Sequence, residues 1–250
     1  MLKKRLIGVI TVKNGRAVQS FGYRRYLPLG RPEVLAENLD RWGADEILLQ
    51  CLDRSAAQAG PDYSLLERVA RLGLGTPLIY AGGIATVDQG VEAVKLGADR
   101  ICLDAVLHDL PAVVAGLREQ LGAQALIASL PLVMEEGACR WVDYRDGSRK
   151  PLGAEVSALL QDKVVSEVMV IDYLNEGLPQ GFDFRLIEQF GHPGVPLIAF
   201  GGLSDAAQLR RALELPRVVA GAIGNFLTYR EHAVSHFKAQ LAGLPLRAAS

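Results

Sequence analysis

The sequence predicts an α/β fold of the (β/α)8 barrel type, built from two similar half-barrels, and three observations predict it. Eight short runs rich in Leu, Ile and Val recur along the 250 residues. Amphipathic stretches with helix-period apolar spacing separate them, several with glycine at the carboxyl end. The stretch "TPLIYAGGIATVDQGVEAVKLGADRICLD" (76–104) has an echo in "VPLIAFGGLSDAAQLRRALELPRVVAGAI" (195–223). An open doubly wound sheet is the competing arrangement, but it leaves two edge strands and does not require eight units of such even length.

Taken in order, the runs read as parallel strands buried on both faces. "RLIGVITV" (5–12) follows a basic lead; Lys13 and Asn14 cut the apolar run short and no small-residue cleavage site follows, so it is a first strand and not a signal peptide. The helix "RPEVLAENLDRWG" (31–43) leads to "EILLQC" (46–51), and "DYSLLERVARLG" (62–73) leads to "PLIYA" (77–81). "TVDQGVEAVKLG" (86–97) precedes "RICLD" (100–104), and "ALIASL" (125–130) is the fifth strand. "EEGACRWVDYRDGSRKPLG" (135–153) then breaks the rhythm; it reads as a two-stranded flap over the barrel mouth, with Asp146-Gly147 at its turn, serving as a lid or as a decorated loop. "EVMVID" (167–172), "PLIAF" (196–200), the helix "SDAAQLRRALE" (204–214) and "RVVAGAI" (217–223) complete the eight units.

The echo is quantitative. Glu46 matches Glu167 and Asp62 matches Asp183 at an offset of 121, while Pro77 matches Pro196 and Gly82 matches Gly201 at 119. A nearly constant offset over two element types predicts one domain, 1–250, made of duplicated half-barrels at about 1–122 and 123–245.

Composition excludes several classes. Lys plus Arg at 27 against Asp plus Glu at 28 leaves a net charge of −1, so there is no bulk electrostatic footprint for nucleic acid or an anionic membrane. No apolar run is long enough to span a membrane. Cys51, Cys102 and Cys139 are odd in number and widely spaced, which argues against disulfides and zinc and fits a reducing cytoplasm. His108, His192, His232 and His236 form no ligand cluster, although the last two share a helix face. No metal or cofactor is expected.

In a barrel the active site lies at the carboxyl ends of the strands. Gly82-Gly83 and Gly201-Gly202 stand there in both halves, where backbone amides and the next helix dipole can hold a phosphate, or where a tight turn simply needs glycine. Asp104 in the first half and Gly177, Gly221 and Ala222 in the second extend these two candidate phosphate sites, which together suit a bisphosphate. Asp104, Asp172 and Glu176 follow the fourth and sixth strands and are candidate acid-base residues facing the mouth, though such loop carboxylates commonly cap the next helix. At the opposite end Arg5, Glu46, Arg100 and Glu167 stand immediately before the first, second, fourth and sixth strands, two cations and two anions placed to converge as a salt-bridged ring. Charged residues also plug barrel bottoms for stability alone.

"VKNGRAV", "GADEILL", "AGGIATV", "GADRICL", "DGSRKPLG" and "EGLPQGFD" follow in the order and spacing of the family that contains the cyclase subunit of imidazole glycerol phosphate synthase and the related phosphoribosyl isomerase. The chain resembles the cyclase over nearly its whole length. The resemblance implies a glutaminase partner that releases ammonia at the barrel bottom, passage of ammonia through the core, and attack on a bisphosphate at the top. It also implies aspartates at the ends of the first and fifth strands as general acid and base. Thr11 and Pro131 stand in those places, and neither side chain exchanges a proton near neutral pH. Gln19 replaces a phosphate-contacting lysine, and Cys51 an acidic residue. At the bottom the resemblance makes Arg5, Glu46, Arg100 and Glu167 an ammonia gate, with arginine where lysine is usual, and makes Asp99 a docking charge for the glutaminase.

"VQSFGYRRYLPLGRPEVLAENLDRWGADEI" and "GNFLTYREHAVSHFKAQL" are similar to a divergent subgroup from bacterial surface-polysaccharide clusters, which accompanies a glutaminase and a sugar amidotransferase that installs acetamidino groups. Three functions stay open on sequence: an ammonia-transfer subunit, an active lyase or isomerase on a phosphorylated sugar or ribotide, and a catalytically silent phosphate-binding barrel.

Overall fold

The computed structural model describes residues 3–179 and 181–247; Met1, Leu2, Gln180 of "EGLPQGFD" and positions 248–250 of the expected domain lie outside the described residues. The strands are β1 (Arg5–Lys13), β2 (Arg16–Phe21), β3 (Arg25–Gly30), β4 (Glu46–Cys51), β5 (Leu78–Ala81), β6 (Arg100–Leu103), β7 (Leu126–Glu135), β8 (Ala138–Asp143), β9 (Ser148–Lys150), β10 (Glu167–Asp172), β11 (Leu197–Phe200) and β12 (Val218–Ile223). Strands β1, β4, β5, β6, β7, β10, β11 and β12 pair in parallel in that order, and β12 returns to β1. The sheet is therefore a closed eight-stranded barrel with helices outside it.

Closure sends alternate residues of each strand into the lumen. Ile7, Ile79, Ile127 and Ile198 come from alternate strands, and Leu48, Cys102, Met169 and Ala220 from those between them; all are buried in one inner cluster. The residues next to them along each strand, such as Leu6, Leu78 and Leu126, face the helices. Gly8 lets the helix Pro32–Arg41 lie close against β1, because a Cβ there would stand 2.7 Å from Leu39 Cδ1. Asp62, Thr86 and Asp205 cap the helices that begin at Tyr63, Val87 and Ala206, each accepting from a backbone N–H in the first turn.

Strands β2, β3, β8 and β9 are additions to the eight expected from sequence. Asn14 (φ 51°) and Gly15 (φ 69°) make a tight hairpin turn that folds β2 back on β1, pairing Lys13 with Arg16. The flap also differs from its expected form: β7 runs beyond the barrel, turns at Glu136-Gly137 and pairs with β8, so the flap has three strands and two turns. The turn before Ser148 is where expected, closed by the Gly147 N–H on the Asp143 carbonyl at 2.7 Å.

Buried Asp45 ties the start of the barrel to its end. Its Oδ2 accepts from the Leu6 N–H at 2.7 Å, and its Oδ1 accepts from Lys238 Nζ at 2.8 Å on the helix Ala233–Gln240. Removing it strands a largely buried ammonium, so Asp45→Ala is expected to lower unfolding stability by about 3 kcal/mol. Asp45→Asn keeps an acceptor for Leu6 and should lose less. Urea titrations of the three proteins check this; coincident curves would remove Asp45 from barrel closure.

Candidate functional site

The amino end of the barrel is built from the first lumen-facing residues of its strands. Arg5 Nη1 donates to both oxygens of Glu46 at 3.0 and 2.9 Å, and Arg5 Nη2 donates to Glu167 Oε1 at 2.7 Å. Arg100 Nη1 closes the circuit on Glu46 Oε1 at 3.2 Å and Glu167 Oε2 at 3.0 Å. The four side chains are no more than 14% exposed, so solvent screens them little. Burial opposes the Arg5 charge, yet Glu46 and Glu167 hold its pKa above the ordinary value. Arg100 is also held from outside by Ser166 Oγ at 2.8 Å and the Gln124 carbonyl at 3.1 Å.

Asp99 lies beside this ring and is exposed. Its Oδ2 accepts from the Leu78 N–H at 2.7 Å, clipping the start of β5.

At the carboxyl end a cavity of about 180 Å³ sits in the centre of the mouth. Pro131 and Cys51 line it, and Thr11 is buried beside Gln50 in the β1–β4 register. Pro131 fits because the Leu132 carbonyl points to β10, which turns the neighbouring position toward β6, where pairing has already ended at Leu103 opposite Ala128. Burial pushes the Cys51 thiol up to about 12, so it stays protonated. Gln19 donates to Thr228 Oγ1 at 2.9 Å and joins the first loop to the eighth.

The three candidate acid-base residues part company. Asp104 lines the cavity; it accepts from the Ala105 N–H at 2.5 Å, Tyr144 Oη at 3.1 Å and Ser55 Oγ at 3.3 Å. Asp172 faces away from the lumen, on the side of Val168 and Val170, and binds the Asn175 N–H, Asn175 Nδ2 and the Asp183 N–H at 3.2, 2.8 and 2.7 Å. Glu176 is buried and holds the first loop through Ser20 Oγ at 2.9 Å and the Tyr23 N–H at 3.1 Å. Of the three, Asp104 lines the central cavity and Glu176 a smaller pocket beside Gly177 and Gly201, while the expectation of a side chain facing the mouth fails for Asp172. Burial raises the pKa of all three, against the donors that favour their charged forms.

The two glycine pairs also differ. A Cβ at Gly82 would stand 2.5 Å from the Cys51 carbonyl oxygen and one at Gly83 2.3 Å from that of Gly60, so both glycines are required by neighbouring backbone. The Gly83 N–H already donates to Ser55 Oγ at 3.0 Å, and the Asp104 carboxylate shares the cavity with Gly82. That arrangement repels an anion, contrary to the expected first phosphate site. In the second half Gly177, Gly201, Gly202 and Ala222 line one small pocket with Asn225, but Glu176 lines it too, so this turn also has a carboxylate beside it. Gly221 faces outward, where a Cβ would stand 2.8 Å from Leu209 Cδ2, so helix packing accounts for it.

The mouth residues that sequence reading missed are aromatic: Tyr23 and Tyr26 from the β2–β3 hairpin, Tyr144 from the flap, and Tyr173 just past β10. Tyr23 stacks on Tyr173 with ring centroids 5.8 Å apart. The flap is fastened to the fourth loop by the Tyr144–Asp104 bond, by Arg145 on Asp143 and Asp109, and by His108 stacked on Trp141 at 3.6 Å. His192 lies against Phe190, His232 against Trp42 and His236 against Gln240. Among the described residues no helix is long and apolar enough to cross a membrane.

Comparison with known proteins gives a consistent result. The family profile described as histidine biosynthesis protein matches residues 5–232. The imidazole glycerol phosphate synthase subunit HisF of Myxococcus xanthus (strain DK1622) is 30% identical over 253 residues, covering 99% of each chain. The protein of the same name from Geobacillus kaustophilus (strain HTA426) is 30% identical over 249 residues, covering 96% of this chain and 97% of its own. That of Pyrococcus furiosus is 28% identical over 255 residues, covering 99% of both.

Flap docking should depend on pH through His108. Burial against Trp141 lowers its pKa from 6.5 to about 4, so the fold holds it neutral. The stability this confers is complete above about 6.5 and is lost as pH falls through about 4. His108→Phe keeps a ring on Trp141 without a titrating group. Its melting temperature should fall less than that of the wild type between neutral and acidic buffer, and parallel falls would clear His108 of the effect.

Proposed function

The chain belongs to the histidine biosynthesis protein family, and from that premise we propose that it is a divergent cyclase-like subunit of the imidazole glycerol phosphate synthase type, which passes ammonia from a glutaminase-like partner without carrying out ring closure. One observation carries the reading: the charge ring at the amino end is complete, whereas Asp104 is the one carboxylate among the described residues lining the mouth cavity. Ring closure needs a proton donor and a proton acceptor across the substrate. Thr11 and Pro131 supply neither.

In this reading Arg5, Glu46, Arg100 and Glu167 act as the gate. The ring admits neutral ammonia when one ion pair parts, and the apolar residues above it, from Ile7 to Met169, do not favour ammonium. Arg100 is the member suited to move, since Ser166 and Gln124 hold it from outside the lumen. Exposed Asp99 supplies a charge to the partner while fixing the edge on which that partner sits. A sugar amidotransferase of surface-polysaccharide synthesis, forming amidino sugars in the cytoplasm, is the proposed destination; the departures at the mouth support it. The same reading includes one barrel domain of two half-barrels, supported by the matched placement of Glu46 with Glu167 and of Gly82 with Gly201 at strand starts and strand ends.

Two measurements test the proposal. With ammonium salts, the purified chain should convert the histidine-pathway bisphosphate no faster than buffer; ordinary turnover would end the reading. Asp99→Asn keeps an oxygen for the Leu78 N–H while deleting the charge, so folding should be retained and affinity for the glutaminase-like subunit should fall by about 2 kcal/mol or more. Titration of that subunit against both forms, together with glutamine turnover in each mixture, reads this out. Equal affinity and equal turnover would leave the silent barrel as the better account.

A further inference from the structure

The geometry points to the mouth cavity as a binding site for a small organic cation with planar N–H donors, of the guanidinium or amidinium class. The cavity is walled by four tyrosines, Tyr23, Tyr26, Tyr144 and Tyr173, together with Asp104 and Gln50, and no Lys, Arg or His is among the described residues that line it. Ring faces and a carboxylate attract a cation, and here nothing of the protein's own fills that role within the cavity. Lys13 shows the attraction from outside, with its Nζ 3.8 Å from the centroid of the Tyr26 ring.

Two acceptors are left over. Asp104 receives three donors, from Ala105, Ser55 and Tyr144, whereas a carboxylate accepts about four, so one direction stays open. Gln50 is 8% exposed, and its Oε1 is buried with no hydrogen-bond partner while its Nε2 reaches Tyr23 Oη at 3.4 Å. A buried amide oxygen without a donor is a standing cost to the fold that a bound N–H removes. A planar cation can donate to Gln50 and Asp104 from its edge while its face lies on tyrosine. A phosphate ester would set its charge against Asp104 with no cation in the wall, and a neutral ligand would leave the carboxylate without a counter-charge. The volume of about 180 Å³ suits a group of this size. The inference does not rest on ammonia transfer, because it concerns only the mouth of the isolated chain.

The test is calorimetric titration of the full chain with methylguanidinium and with methylurea, which share a shape and differ in charge, and with inorganic phosphate as a third arm. Methylguanidinium should bind saturably and about tenfold or more tighter than methylurea. It should also shift the side-chain amide resonances of Gln50. Asp104→Asn should bring the two affinities together, and Gln50→Leu should weaken methylguanidinium binding with folding checked by melting; either variant alone suffices if the other does not fold. Equal affinity of the two compounds in the wild type, no saturable binding of methylguanidinium, binding unaltered by the variants, or phosphate shifting the same resonances would each overturn the proposal.

Discussion

Closure of the sheet between β12 and β1 is the constraint on which the rest of the molecule depends. Once it closes, each strand must send every second side chain into a lumen wide enough for only a few at each level. The residue before a strand and the first residue within it then take different work. Asp45, Asp99 and Ser166 remain outside and hold the neighbouring strand: Asp45 accepts from Leu6, Asp99 accepts from Leu78, and the Ser166 hydroxyl donates to the Leu126 carbonyl. The next residue in each case, Glu46, Arg100 or Glu167, enters the lumen. The dipeptides Asp45-Glu46, Asp99-Arg100 and Ser166-Glu167 thus join barrel register and the charge ring in one local device.

The ring itself is poorly explained by stability. It holds two arginines and two glutamates in a place where water scarcely reaches, and desolvating four charges offsets most of what their pairing returns. Apolar residues of similar size would plug the same opening at no such loss, as the isoleucines directly above do. Each glutamate is shared by both arginines, so parting one pair leaves every anion with a remaining cation. That redundancy is what the proposed gate would need, and a static plug would not.

How much was legible in the sequence follows from where the information lies. The barrel strands were readable because an interior strand has to be apolar on both faces, and the ring residues because they are charges set directly against such runs. Strand parity was equally available. If Glu167 points inward then Met169 and Ile171 do, and Asp172 points outward, as the structure shows; Gly221, between inward Ala220 and Ala222, obeys the same rule. The Asn14-Gly15 turn was a hairpin signal in plain view, and with it β2 and β3. The mouth was not legible, because Tyr23, Tyr26 and Tyr144 reach it from two hairpins whose fold over the barrel is set by long-range contacts, such as those of Gln19 with Thr228 and Asp104 with Tyr144. No period in the chain places loop residues.

The repeated Gly-Gly answers to the same steric need in both halves of the chain. In both halves the glycines are needed because neighbouring backbone passes where a Cβ would be: the Cys51 and Gly60 carbonyls in the first half, the backbone of Asp172 and the Phe182 N–H in the second. Backbone crowding alone therefore accounts for the repeat, whether or not a ligand is bound. What distinguishes the halves is the company these turns keep. In the first, Gly82 lines the central cavity with Asp104 and four tyrosines, while in the second Gly201 and Gly202 line a smaller pocket with Glu176, Gly177 and Asn225. The same steric need thus recurs at both turns, and each keeps a carboxylate beside it, Asp104 in one and Glu176 in the other, so neither is an open cradle for an anion.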